Sequence, residues 1–167
     1  MASDDGLEIK QDLTFQRREW RIQRVVWLLL AALLVAALAG LLGPGPLSST
    51  SRQAAGFDVH YLRFTRWQAP HTLTITVLPS AGPTVALAIN RSYLDSMQVQ
   101  QITPQPASVK LSGNNYIFDF DNRRAQLPTD IAFDLQPSSM GTVHAIIGLL
   151  TPGSPTASVH LTQLVYP

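Results

Sequence analysis

The chain has 167 residues, of which 46% are hydrophobic, and its 12 basic and 11 acidic side chains leave a formal net charge of +1. This length allows one modest folded domain and one additional element, which excludes a multidomain enzyme. The balanced charge provides no basic field for nucleic acid, and the absence of cysteine excludes disulfides, thiol nucleophiles and thiolate metal sites.

Residues 1–24 combine charged side chains with a few periodic apolar ones, and we predict a basic helix that lies in the cytoplasm beside a membrane. Its arginines would meet anionic headgroups, and tryptophans would mark the interface. The predicted interface residues are Arg17, Arg18, Trp20, Arg21, Arg24 and Trp27. A regulatory or docking role for this helix stays open, because basic juxtamembrane helices also occur for topology alone.

Residues 25–42, VVWLLLAALLVAALAGLL, contain no charged or strongly polar side chain. Eighteen helical residues reach roughly 27 Å, close to the ~30 Å hydrocarbon core of a bilayer, so we predict a transmembrane helix. Arginines concentrate before this run, which places the N-terminus in the cytoplasm and the rest in the periplasm of a Gram-negative cell. A cleaved signal peptide is the alternative, but the preceding segment is long and partly acidic.

Ala32, Ala36 and Gly40 recur at four-residue spacing within the apolar run and would form one strip of small residues. Such strips let two membrane helices approach closely, so we expect a helix partner there. The alternative is that alanine is simply common in this segment. After the run, Gly43-Pro44-Gly45-Pro46 ends the helix, and we predict a polar linker over residues 43–56.

Residues 57–167 alternate apolar and polar side chains in short runs separated by proline, glycine and asparagine. This period of two is typical of half-buried strands, and the spacing predicts an all-β, antiparallel β-sandwich, immunoglobulin-like or similar. Gly113-Asn114-Asn115 would form a hairpin turn, and residues 92–96 a single helical turn. The predicted strands are 57–64, 72–78, 84–89, 97–102, 108–111, 116–120, 131–135, 142–150 and 157–166.

No catalytic motif appears, so we predict neither an enzyme nor a cofactor. The four histidines lack ligand spacing, and we place His60 and His160 in the solvent-facing phase of their strands. Asp119 and Asp121 resemble the start of a calcium loop, but the glycine and the distal glutamate that such a loop needs are missing. The sequence therefore predicts no metal site.

Aromatic and arginine side chains are mixed just after the predicted linker. Interface cores are enriched in both types, so we predict partner contact there. A domain resting on headgroups, or ordinary core packing, would fit the same composition. The predicted contact residues are Tyr61, Arg63, Phe64, Arg66 and Trp67.

The RFTRWQAP segment at residues 63–70 and the QLVYP ending at residues 163–167, with the overall layout, resemble uncharacterised single-pass inner-membrane proteins of proteobacteria. That family has no established activity, so the resemblance implies nothing catalytic. The layout is also similar to the membrane-anchored copper chaperone of cytochrome oxidase assembly. That family depends on paired cysteines, which this chain lacks, so we reject the match.

These features predict a bitopic protein of the bacterial inner membrane whose periplasmic sandwich is a non-catalytic interaction module. We expect an accessory or assembly subunit beside a multi-pass membrane protein, with a homo-oligomer possible. A single-pass sensor of a small ligand or metal is the first alternative. An anchored envelope hydrolase is the second, although no convergent set of polar residues supports it.

Overall fold

The structure, a computed structural model, describes residues 13–38, 45–79, 83–122, 126–150 and 157–167. The chain divides into two compact units, residues 1–36 and 37–167. The first contains one helix, α1 at Leu13–Ala36. No helix in the described ranges is both long enough and apolar enough to cross a membrane. The predicted span 25–42 continues through residues 39–42, which lie outside the described residues.

The second unit contains eleven strands and one short helix. Their bounds are β1 Ser49–Ala54, β2 Phe57–Leu62, β3 Phe64–Arg66, β4 His71–Val77, β5 Thr84–Asn90, α2 Arg91–Asp95, β6 Met97–Thr103, β7 Ser108–Ser112, β8 Asn115–Asp121, β9 Thr129–Pro137, β10 Gly141–Leu150 and β11 Ala157–Tyr166.

The strands form two sheets, which confirms the predicted all-β sandwich. The first sheet has the order β1-β2-β4-β9-β6, and the second has the order β3-β11-β10-β5-β8-β7. All described pairs are antiparallel except β3 with β11, where Leu164 to Tyr166 run parallel to Phe64 to Arg66. The chain thus leaves the first sheet at the end of β2 and joins the second within two residues.

The inner faces of the two sheets supply the core because every second residue of most strands points inward. In β4, Leu73, Ile75 and Val77 are buried, while the hydroxyls of Thr72 and Thr76 lie outside. The ring of Phe133 on β9 packs edge to face against two phenylalanines of the other sheet, with centroids 5.4 Å from Phe118 and 6.4 Å from Phe120.

The sandwich has a core of its own. Every buried hydrophobic residue in the described part of the chain lies between Phe57 and Val165, and α1 contributes none. A segment of roughly 120 residues is within the usual size of an independent domain. We therefore expect residues 45–167 to fold without α1.

Two strands differ from the sequence prediction. β1 lies in the segment predicted as a linker, where its polar side chains show no alternation that could have revealed a strand. It is held by antiparallel pairing with β2 through the turn at Ala55-Gly56, where Gly56 has φ +90°. The predicted strand 57–64 is divided at Arg63 into β2 and β3, because its two halves pair in different sheets.

Two local predictions are confirmed. Ser112 pairs with Asn115, so Gly113 and Asn114 form the β7–β8 hairpin turn, and Gly113 has φ +59°. The predicted helical turn is α2, one residue earlier than expected.

Candidate functional site

The chain enters the sandwich through a turn at residues 45–48, and we call this end of the sandwich the proximal end. Ser48 is fully buried there. Its hydroxyl donates to the Phe64 carbonyl at 3.1 Å and accepts from the Phe64 amide at 3.3 Å. Its carbonyl accepts the Arg63 amide at 2.8 Å. These three bonds fix the start of β1 against the β2–β3 junction.

The predicted contact segment lies at this proximal end. Arg63, Arg66 and Trp67 are exposed, and Phe64 is half-buried. The Trp67 indole nitrogen donates to the Ser138 carbonyl at 3.4 Å, and its side chain remains 38% exposed. Tyr61 differs from the expectation of partner contact: it is only 5% exposed, because it lies in the inward phase of β2 beside Val59.

Exposed apolar side chains surround the same segment. Leu164 is 43% exposed, and its amide donates to the Arg63 carbonyl at 2.8 Å. Leu47, in the turn that precedes β1, is 53% exposed. Together with Trp67 and the two arginines, these residues form a mixed basic and apolar surface at the proximal end. The sequence indicated its Tyr61–Trp67 portion but not the contribution of Leu47 and Leu164.

One groove opens beside this surface, and we call it the arginine groove. It has a volume of about 300 Å³ and lies where β1 and β2 meet β11. Its lining residues are Arg52, Tyr61, Arg63, Phe64, His160, Thr162 and Leu164. Arg52, Arg63 and His160 are exposed, whereas Tyr61 and Phe64 give the groove an apolar floor.

The charged side chains among the described residues that line the groove are both arginines. None of the described residues that line it is a carboxylate. The ion pairs within the described ranges are Arg91–Asp95 and Lys110–Asp119, on α2 and on the far edge of the second sheet. Asp58 lies in the outward phase of β2, on the opposite face from Tyr61. Hydrogen bonds from Lys110 and Ser108 lower the pKa of the Asp119 carboxyl.

A second groove, of about 340 Å³, crosses the outer face of the first sheet. It is lined mainly by hydroxyl groups with His60, and none of its described lining residues is acidic. These residues are Ser49, Thr50, Ser51, His60, Tyr61, Leu62, Thr72 and Thr74. In the part of the chain that the structure describes, neither groove brings a nucleophile, a base and an orienting carboxylate together.

The four histidines are dispersed. His60, His144 and His160 are exposed, which confirms the solvent-facing phase predicted for the first and third. His71 is buried at the start of β4, and neither ring nitrogen makes a hydrogen bond of good geometry in the described part of the chain. Burial lowers the pKa of His71, and a weaker interaction with the Ala69 backbone opposes this shift only in part. Within the described ranges, no three histidine or acidic side chains are grouped as metal ligands would be.

The predicted membrane-facing residues lie on α1. Trp20, Arg21, Arg24 and Trp27 are exposed, and the Arg24 guanidinium carbon lies 3.9 Å from the centroid of the Trp20 ring. Arg17 and Arg18 belong to the helix, but their side chains lie outside the described residues. In the small-residue strip, Ala32 is exposed and Ala36 is half-buried, whereas Gly40 lies outside the described residues.

No protein-family model and no curated protein matches the chain. Among solved structures, it is similar to a non-cellulosomal cohesin from the hyperthermophilic archaeon Archaeoglobus fulgidus, with a TM-score of 0.37 and 9% identity over 62% of this chain and 86% of that one. It is also similar to ACE19, the collagen-binding subdomain of the Enterococcus faecalis surface protein ACE, with a TM-score of 0.39 and 10% identity over 70% of this chain and 99% of that one. Both likenesses are distant, and neither carries a ligand or partner over to this chain.

Proposed function

We propose that the chain is a membrane-anchored, non-catalytic interaction module, an accessory or assembly subunit beside a multi-pass membrane protein. The observation that carries this proposal is the composition of the proximal end. There Arg63, Arg66 and Trp67 are exposed beside Leu47 and Leu164, next to the turn through which the chain enters the domain. Exposed arginine, tryptophan and leucine in one patch are typical of contact surfaces.

Anchoring is supported by the sequence of residues 25–42, and the excess of arginine before them supports a cytoplasmic N-terminus. The turn at Gly45 follows Leu42 by three residues. Three extended residues span at most about 11 Å, so an anchored chain holds the proximal end beside the bilayer. A partner in the same membrane would meet this end first. Because contact through the membrane helices raises the effective concentration of the partner, a weak additional contact at the proximal end would be strengthened.

A non-catalytic role is supported by the chemistry of the two grooves. Each presents hydroxyl, imidazole or guanidinium groups, but the described residues place no carboxylate or second histidine within either groove to activate a nucleophile.

The test is affinity purification of the full chain from native membranes in mild detergent, with quantitative mass spectrometry of the co-eluting proteins. We expect a multi-pass protein in stoichiometric amount. A variant carrying Arg63→Glu, Arg66→Glu and Trp67→Ala should lose this protein. The matched control changes Lys110→Glu, Val109→Ala and Leu111→Ala on the exposed edge strand β7 and should retain it.

Loss of the partner in the β7 control but not in the proximal variant would move the contact surface to the opposite edge of the sandwich. Recovery of the chain without any stoichiometric protein would contradict the accessory-subunit proposal.

A ligand sensor is the second candidate, favoured by the arginine groove, whose volume of about 300 Å³ suits a small anion or metabolite. It requires that a soluble ligand raise the melting temperature of the domain in a saturable manner. Failure of inorganic phosphate and small phosphorylated or carboxylated metabolites to do so would argue against it.

A further inference from the structure

Among the described residues, no carboxylate neutralises the two arginines of the arginine groove. The Arg63 Nη2 group donates to the Thr50 hydroxyl at 3.2 Å, which leaves the remaining N–H donors of the guanidinium without a described partner. Arg52 lies two residues further along β1, so its side chain is on the same face of the strand as that of Thr50. The ion pairs of the described residues involve neither arginine. The groove therefore offers two guanidinium groups to an external anion.

The apolar residues that line the groove restrict the kind of anion that fits it. Guanidinium groups bind phosphate through paired hydrogen bonds. The Thr162 hydroxyl in the same groove is already hydrogen-bonded to Nδ1 of His144, at 3.2 Å. Tyr61, Phe64 and Leu164 place apolar surface directly beside these cationic groups. A bare inorganic ion would leave that apolar surface in water, whereas a phospholipid headgroup joins a phosphate to glycerol and acyl carbon that can cover it.

The position of the groove points to the same ligand. Arg63, Phe64 and Leu164 line the groove at the proximal end, where the chain enters three residues after the apolar run. The headgroup layer on each side of a bilayer is about 5–8 Å thick, within reach of long arginine side chains at this end. Trp67 and Leu47, exposed at the same proximal end, are of the residue types that favour this layer.

We infer that the arginine groove binds the phosphate of an anionic phospholipid in the leaflet that faces the sandwich. This inference rests on the proposed anchoring and specifies how the domain is seated on the membrane. Arg52 and Arg63 hold the phosphate, while Phe64 and Leu164 contact the glycerol and the upper acyl carbons. The bound lipid fixes the orientation of the proximal end toward partners in the same membrane.

The experiment uses the soluble domain of residues 45–167, which retains the whole described core and lacks the apolar run. Trp67 is its only tryptophan, because the other two are Trp20 and Trp27. Its fluorescence is followed during titration with vesicles of phosphatidylcholine alone, and of equal parts phosphatidylcholine and phosphatidylglycerol. Brominated acyl chains in a parallel series quench Trp67 only where the proximal end meets the lipid.

We expect saturable binding to the anionic vesicles, a blue shift and quenching of Trp67, and weakening as salt is raised. Arg52→Gln with Arg63→Gln should reduce the affinity about thirtyfold, since each basic residue near an anionic surface contributes roughly a fivefold factor. The matched control, Lys110→Glu, changes the net charge by the same two units on β7, at the far edge of the second sheet, and should change the affinity less than about threefold.

Equal loss in the groove variant and in Lys110→Glu would show that net charge, rather than the groove, governs binding, and would overturn the inference. Saturable binding of inorganic phosphate or glycerol phosphate without binding to vesicles would assign the groove to a soluble ligand instead. No binding of any of these probes would also overturn it. The anchoring proposal is tested separately, because resistance of the full chain to carbonate extraction depends on residues 25–42 and not on the groove.

Discussion

The Tyr93 hydroxyl donates a 2.7 Å hydrogen bond to Oε1 of Gln163, and both side chains are buried at the proximal end of the sandwich. The Gln163 amide nitrogen in turn donates to the Leu62 carbonyl at 2.8 Å. This relay joins α2 to β11 in the second sheet and to β2 in the first. Burial raises the pKa of Tyr93, so the hydroxyl remains a donor throughout the physiological range.

Replacing Gln163 with leucine should destabilise the domain by about 2 kcal/mol, because the Tyr93 hydroxyl and the Leu62 carbonyl would be left buried without partners. Urea unfolding of residues 45–167 measures the loss. The same substitution at exposed Gln98 on β6 is the control and should change the free energy of unfolding by less than about 0.5 kcal/mol. Equal effects at the two positions would mean that the buried relay contributes nothing to stability.

His71 should make the domain less stable as the pH falls. Burial lowers its pKa in the folded state below the ordinary value of 6.5, so it remains neutral when the unfolded chain takes up a proton. The unfolded state therefore binds more protons below that value, and stability rises with pH across this window. The melting temperature of the His71→Leu variant should depend less on pH than that of the wild type between about pH 7.5 and about pH 5.

Gln98→Leu, at an exposed position without a titratable group, is the control for His71 and should leave the pH dependence unchanged. Asp119 does not interfere in this window, because its lowered pKa confines its contribution to more acidic conditions. An unaltered pH profile in the His71→Leu variant would contradict the proposed cause.

Gly56→Ala should cost more stability than Gly113→Ala. At Gly56 the backbone has φ +90°, and an added Cβ would lie 3.1 Å from the Leu149 Cδ2 atom. At Gly113, φ is +59° and an added Cβ would meet no atom within 4 Å. We expect a loss of about 2–3 kcal/mol for the first and about 1 kcal/mol for the second, measured by urea unfolding. The reverse order would show that the β1–β2 turn is not constrained as the structure indicates.

Phe133→Leu should lower the free energy of unfolding by about 1–2 kcal/mol, because it removes two edge-to-face contacts across the sheets, with Phe118 and Phe120. Phe64→Leu at the half-buried proximal end should cost less than about 1 kcal/mol. Thermal or urea unfolding of both variants provides the comparison, and equal losses would contradict the placement of Phe133 at the centre of the core.

The strip of small residues in the apolar run predicts an effect on partner binding rather than on the stability of the sandwich. Ala36→Leu with Gly40→Leu should weaken co-purification of a membrane partner without changing the melting temperature of the sandwich, since bulky side chains keep helix backbones apart. Leu34→Phe enlarges a residue on the opposite face of the helix and should leave co-purification unchanged. Partner recovery unaffected by the leucine substitutions would remove the strip from the proposed interface.

Much of the sandwich was predictable from local pattern. Strands such as β4 and β9 alternate buried and exposed side chains, and that alternation is visible in the sequence because a strand has a period of two. The turn at Gly113 was predictable for an equally local reason, since few residues adopt its positive φ.

The remaining features depended on which strands pair with which. β1 has no apolar face and exists because β2 supplies its hydrogen bonds, while β3 leaves the first sheet only because β11 offers a parallel edge. Tyr61 was assigned to a surface because of its aromatic and arginine neighbours, although the alternation of β2 places it in the inward phase with Phe57 and Val59.

The sequence by itself determined the class of domain, the turn at Gly113 and the exposed arginine-rich segment at its start, because each depends on residues close together in the chain. Only the tertiary structure decided that Arg52 and Arg63 share a groove with His160, about a hundred residues further along. It also decided that His71 is buried and that Tyr93 meets Gln163. Such relationships arise from sheet pairing and layer packing between distant segments, and the periodicity within one segment does not encode them.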